Sequence, residues 1–279
     1  MTKANVSRRS NSSTRCRAKK ELRIALGIEY DGTPYNGWQR QRTGDGVQEH
    51  VERVLSKVAD ENIEIICAGR TDTGVHASGQ VVHFDTNSER DSRGWLLGAN
   101  SDLPDDINVT WAQPVSDDFH ARFSATSRSY HYLILNRFER SALHRHRAWW
   151  VYDTLEIGPM QEAAKALLGE HDFSGYRAAA CQASTAVRTI SYLSLTQRGP
   201  WISLEVTANA FLQHMVRNIT GTLVMIGRGD ESPDWAAQIL ESRDRKKGGI
   251  AAPPHGLTLV SVGYPDEFDL PADPNAKLR

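Results

Sequence analysis

A polar turn bounded by glycines, residues 69–74, separates an isoleucine-rich segment, 63–68, from a second extended segment, 75–84. The two flanking segments read as buried strands, so this strand–turn–strand unit commits the chain to a β-sheet. Upstream, Leu22, Ile24, Leu26, Ile28 and Tyr30 recur at period 2 and predict another strand. Between them, Val47, Val51, Val54, Leu55 and Val58 keep helical spacing and predict a helix over 47–60. The same reasoning predicts helices over 95–100, 158–168, 211–226 and 233–242. It predicts strands over 107–112, 129–135, 187–196, 201–207 and 257–264, with Tyr130, Tyr132 and Ile134 on one face. Hairpin-like neighbours such as 187–196 and 201–207 favour α+β over a doubly wound α/β fold. The expected architecture is a mainly antiparallel sheet with flanking helices. Each half reads roughly as strand, helix and strands, although no repeat is visible in the residues themselves.

Charge divides the chain further. Residues 1–23 hold eight Lys/Arg against Glu21 alone, a balance of +7, and the remainder carries 25 basic and 33 acidic residues, or −8. The formal net charge of −1 therefore hides a cationic arm on an acidic body. The arm, 1–21, is rich in Ser, Asn and Arg, and too poor in large apolar side chains to offset the entropy of ordering. It is expected to be disordered, either as an RNA-binding arm or as a solubilising extension. Residues 22–125 and 126–264 form the expected N- and C-terminal halves, and 265–279 a loose tail. No run of eighteen apolar residues offers a membrane span. The N-terminus lacks an apolar export signal, and Cys16, Cys67 and Cys181 make neither a disulfide framework nor a CxxC pair. A cytoplasmic setting is expected.

The chemistry centres on Cys67-Ala68-Gly69-Arg70-Thr71-Asp72-Thr73-Gly74-Val75-His76-Ala77. Gly69 and Gly74 allow a tight turn and a close approach by a ligand. Arg70, if it projects to the same side as Asp72, keeps that carboxylate ionised and oriented. An ionised, fixed aspartate is a nucleophile. The spacing alone also fits an Asx-type turn with a surface ion pair. GxGxxG, Walker A, HExxH and GxSxG motifs are all absent, which removes the usual signatures of dinucleotide redox, nucleotide hydrolysis and zincin chemistry.

The segment CAGRTDTGVHASGQVVHF resembles the signature of the TruA-type tRNA pseudouridine synthases. The similarity continues in order through EYDGTPYNGWQRQ, GVQEHVERVL, FHARFSATSRSYHYLI, LLGEHDFSGYRA, ANAFLQHMVRNITGTL and HGLTLVSVGY, over about residues 22–264. The arm and the tail lie outside it. The resemblance implies two halves around a central cleft and a homodimer bound to tRNA. It implies isomerisation of uridine to pseudouridine at positions 38–40 of the anticodon stem-loop, with neither cofactor nor metal. Asp72 matches the nucleophile, Arg70 the arginine that pairs with it and helps displace the target base, and Tyr130 the active-site tyrosine. Leu257 matches an apolar wall of the base pocket. Arg217, on an otherwise apolar helix, needs a charged partner, which Asp72, an RNA phosphate or an ordinary inter-element salt bridge would supply. Tyr35, Trp38, Gln39, Arg40 and Arg42 mix planar groups with charge and are expected to meet RNA by stacking and phosphate contact. The alternative is a solvated loop with Trp38 folded onto the body. Arg243, Arg245, Lys246 and Lys247 form a basic cluster that reads as a solvated face or a phosphate contact. His76 and His83 flank the loop and read as structural or RNA-facing.

Overall fold

The computed structural model describes residues 21–41 and 44–271. The basic arm over 1–20, Arg42 and the tail from 272 onward lie outside the described residues. The elements run β1 (Leu22–Tyr30), α1 (Val47–Ala59), β2 (Ile66–Cys67), β3 (His76–Thr86), α2 (Ser92–Asn100), β4 (Ile107–Val115) and β5 (Ser127–Asn136). They continue with β6 (Trp149–Val151), α3 (Ile157–Lys165), β7 (Gly169–Asp172), β8 (Val187–Arg198), β9 (Trp201–Ala208), α4 (Met215–Gly227), α5 (Trp235–Ser242) and β10 (Leu257–Gly263).

The strands build one sheet in the order β4-β1-β3-β10-β5-β9-β8-β7, with β2 against β3 and β6 against β5. Seven of the nine pairings are antiparallel; β10–β3 and β6–β5 are parallel. The fold is therefore α+β with a mainly antiparallel sheet. Strand alternation fixes its two faces. Ile24, Leu26 and Ile28 join one continuous core with buried residues of all five helices, while Ala25 belongs to a second, smaller cluster with Ala68, Val81, Phe119 and Ala121. The helices thus cover one face. The last strand, β10, enters the middle of the sheet. There it runs antiparallel to β5 and parallel to β3, with Thr258 opposite His76 and Leu259 opposite Ala77. That seam joins the first three long strands to the later ones.

Three expectations from sequence need correction. Segment 63–68 is strand only over two residues. The Ile63 and Ile65 N–H groups donate to Ser56 Oγ and Glu52 Oε1 of α1 instead of to a neighbouring strand. Helix α4 begins at Met215, four residues later than the apolar pattern suggests, because His214 takes a left-handed conformation (φ 61°) that breaks the helical path. The tail is not loose over 265–271. Phe268 packs edge-on against Phe119 at 5.2 Å, Leu270 joins the second cluster, and Gln113 Nε2 donates to the Asp269 carbonyl at 2.9 Å. Strands β6 and β7, of three and four residues, carry too little periodicity to show in the sequence.

Candidate active site

Asp72 sits on the loop between β2 and β3, at the mouth of the parallel seam. The loop is held from several sides. Ala68 N–H donates to the Val81 carbonyl at 2.8 Å, and Gln80 Nε2 to the Gly69 carbonyl at 2.6 Å. Trp38 N–H donates to the Thr71 carbonyl at 3.1 Å, and the Tyr30 and Thr71 hydroxyls bond at 2.8 Å. Val75 N–H closes back on the Asp72 carbonyl. Two glycines make this packing possible. Gly74 is left-handed at φ 76°, and Gly37 (φ 96°) lies so close that a Cβ there would stand 2.7 Å from the Thr71 carbonyl oxygen.

The Asp72 side chain keeps 26% of its surface exposed, so a substrate can reach it. Its charge partners come from a distant part of the chain. Arg217 Nη1 stands 3.6 Å and His214 Nε2 3.5 Å from the same oxygen, Oδ2. Arg217 is in turn fixed by Nε donating to the Ala252 carbonyl at 2.7 Å, while Ala252 N–H donates back to the Arg217 carbonyl. The partner expected for Arg217 is therefore Asp72. Arg70 differs from expectation: it is exposed, and among the described residues no ion pair joins it to Asp72. The half-buried Cys67 thiol nearby is pushed up to about 11 by burial, with Arg70 pulling the other way.

Tyr130 on β5 is 9% exposed and packs edge-on against Phe211 at 5.1 Å. Burial, then the nearby Asp72 charge, raise its phenol well above the ordinary tyrosine range, so the hydroxyl stays neutral. Leu257 opens β10 beside it, buried opposite Tyr132. Asp72, Tyr130 and Arg217 thus converge from three elements, with Leu257 one strand away.

The first loop departs most from its expected role. The Tyr35 ring is buried and its hydroxyl donates to Asp106 Oδ1 at 2.5 Å. Trp38 is 1% exposed, with its ring 5.7 Å from that of Tyr30. Neither ring is presented for stacking on a base: Trp38 packs beside Tyr30, next to the Asp72 loop, and Tyr35 lies between His50 and Asp106. Arg40 is exposed but paired with the buried Glu52 carboxylate of α1. In the later basic cluster, Arg243 is exposed and faces Asp172 at 3.5 Å, Arg245 donates to Asn218 Oδ1, and Lys246 and Lys247 are exposed.

His76 is a structural residue. Its Nδ1 accepts the Gly32 N–H at 3.0 Å, and Nε2 lies 2.8 Å from the His146 carbonyl and 3.2 Å from that of His255, tying the start of β3 to the segments around it. His83 is likewise buried, with Nδ1 accepting the Ala121 N–H at 3.0 Å. Sequence reasoning missed His214 at Asp72. It also missed Arg128, a buried guanidinium that donates to the carbonyls of Ala68, Arg122, Ala125 and Asn209. Arg128 shares strand parity with Tyr130, Tyr132 and Ile134, and that was the available signal.

The chain is similar to known proteins over most of its length. A family model described as tRNA pseudouridine synthase matches residues 27–124 and 163–265. The "tRNA pseudouridine synthase A" of Alcanivorax borkumensis is 51% identical over 257 residues, covering 92% of this chain and 96% of that protein. The protein of the same name from Pseudoalteromonas atlantica is 53% identical over 250 residues, 90% of this chain and 95% of its own. Among solved structures, a chain of a Cbf5–Nop10–Gar1 complex matches 86% of this chain and 50% of its own, at 12% identity and a TM-score of 0.37. With the family model spanning both sides of the seam and full-length relatives above 50% identity, the chain belongs to the tRNA pseudouridine synthases, which are isomerases.

Proposed function

We propose that the chain isomerises uridine to pseudouridine at positions 38–40 of the tRNA anticodon stem-loop, with Asp72 as nucleophile. The observation that carries this reading is the Asp72 carboxylate, accessible on one side and held at Oδ2 by Arg217 and His214. Donors grouped on one carboxylate oxygen orient the other toward a substrate. The reaction breaks the N1–C1′ bond, turns the uracil, joins C5 to C1′, removes the C5 proton and leaves a proton on N1. Asp72 serves either by attack at C1′, by attack at C6, or by assisting a glycal-like intermediate. Tyr130 contributes its ring and a neutral hydroxyl; burial disfavours a phenolate acting as base for the C5 proton. Leu257 closes the apolar side of the uracil site. Arg70, exposed at the turn, enters the RNA and occupies the space of the extruded base, whose unstacking costs a few kcal/mol. The enzyme works in the cytoplasm as a homodimer with one tRNA spanning both protomers, and the basic arm adds phosphate contacts.

The test is pseudouridine mapping in unmodified bulk tRNA after incubation with wild-type protein and Asp72→Asn. Wild type is expected to modify positions 38–40. The variant should lose all activity yet keep its fold and most of its tRNA affinity. Full activity in Asp72→Asn would reject the nucleophile, and modification confined to other positions would reject the target.

A further inference from the structure

His214 stands out because its backbone is left-handed, a conformation uncommon outside glycine, at the junction of loop and helix. At φ 61° and ψ 2° it precedes α4, and its carbonyl accepts the Asn218 N–H at 2.8 Å, so the helix is built directly onto this turn. The conformation sends the imidazole toward Asp72, where Nε2 stands 3.5 Å from Oδ2. Arg217, three residues on and in the first turn of α4, reaches the same oxygen at 3.6 Å. Both separations are wider than a made hydrogen bond, as is common before a substrate closes a site. A side chain in a strained conformation beside the reacting carboxylate is the place to look for function.

We infer that His214 is a positioning residue for Asp72. Its Nε2–H and the Arg217 guanidinium together capture Oδ2, which fixes the carboxylate plane and leaves Oδ1 as the oxygen turned to the substrate. Two donors from one helix start make the carboxylate's orientation depend on α4 as a rigid unit. Arg217 supplies permanent charge and His214 supplies the directional donor. The left-handed turn is what lets both side chains, three positions apart, converge on one atom. The inference rests on Asp72 being the nucleophile.

The experiment compares single-turnover pseudouridine formation and tRNA affinity for wild type, His214→Gln, His214→Asn and His214→Gly, with Asp72→Asn alongside. Glutamine is long enough to return an amide N–H near the Nε2 position but tolerates the left-handed backbone poorly. Asparagine and glycine suit that backbone but cannot reach Asp72. Positioning therefore predicts activity in the order Gln above Asn and Gly, whereas backbone strain alone predicts the reverse. Loss of a charge-assisted hydrogen bond should lower the saturated rate of Asn and Gly roughly 10- to 100-fold, with tRNA affinity within about twofold. Thermal melts identify any variant that has failed to fold, and glycine, which relieves the turn, is the variant least exposed to that failure. Wild-type rates in His214→Gly, or Asn above Gln among folded variants, would overturn the inference. An active Asp72→Asn would overturn the nucleophile and this inference together. An inactive Asp72→Asn beside a fully active His214→Gly would overturn the inference alone.

Discussion

Arg128 offers the sharpest test of how the site is held. Its side chain is 9% exposed on β5, and among the described residues it forms no ion pair with a carboxylate. Four carbonyls satisfy it instead: Ala68 at 2.9 Å, Arg122 at 2.8 Å, Ala125 at 3.1 Å and Asn209 at 2.9 Å. Burial lowers its affinity for the proton from the ordinary arginine value, yet arginine at neutral pH stays charged. The carbonyls belong to the strand entering the Asp72 loop, the turn before β5 and the residue after β9. Arg128→Met keeps the length and removes every donor. The buried Ala68 carbonyl then loses this donor, a cost of about 1–3 kcal/mol, and three half-exposed bonds worth about 0.5–1.5 kcal/mol each are exchanged for water. Relief from burying a lone guanidinium offsets part of this, leaving a net loss of about 2–5 kcal/mol. For a chain of this size that lowers Tm by roughly 4–20 °C. Arg128→Lys should recover less than half, since one ammonium cannot reach carbonyls on three segments. Differential scanning fluorimetry gives the Tm, and pseudouridine formation at 20 °C, where the variants remain folded, gives the effect on the site. Activity should fall with stability, because Ala68 lies four residues from Asp72 and Asn209 five from His214. A Tm within about 3 °C of wild type for Arg128→Met would refute the reasoning.

Two further predictions separate folding from RNA contact. Trp38→Ala removes a ring that is 1% exposed beneath the Asp72 loop and should cost about 3–5 kcal/mol of stability. If Trp38 stacked on a base, tRNA affinity would instead fall by roughly 5- to 150-fold with Tm unchanged, since such stacking is worth about 1–3 kcal/mol. Binding and melting curves on the same preparation decide between them. His83 is held down to about 4 by burial, then by His120 and Arg23. The folded state favours its neutral form and the unfolded state takes up the proton, so its contribution is complete above about pH 6.5 and is lost as pH falls toward 4. The loss reaches about 3 kcal/mol, and His83→Asn, which keeps an acceptor for the Ala121 N–H, should flatten urea-unfolding stability over that window relative to wild type. Equal pH dependence in both proteins would refute it.

What the sequence discloses depends on the range of the interaction concerned. The sheet, its helices and the Asp72 turn were legible because each is written in consecutive residues: alternation in Leu22–Tyr30, helical spacing in Val47–Ala59, glycines on both sides of Asp72. The direction of a side chain off an irregular loop was not. Tyr35 and Trp38 stand in a polar, Gly-rich segment, and the same letters describe rings offered to RNA or rings folded under a neighbour. Only the fit against Tyr30, Thr71 and Asp106 decides, and those lie up to 71 positions away. Arg70 and Asp72 show the same limit at shorter range. Nearness in sequence suggested a pair, but the turn separates them and the chain supplies Arg217 and His214 from the start of α4. Arg128 is the instructive exception, since parity alone puts it on the buried face with Tyr130 and Tyr132. A cation at an inward strand position must find acceptors, and with no carboxylate paired to it among the described residues they are backbone carbonyls. Carbonyls are fixed by the course of the chain, whereas a carboxylate follows its own rotamer. A guanidinium bound only to carbonyls therefore holds the paths of three segments at once, and the nucleophile's loop is one of them.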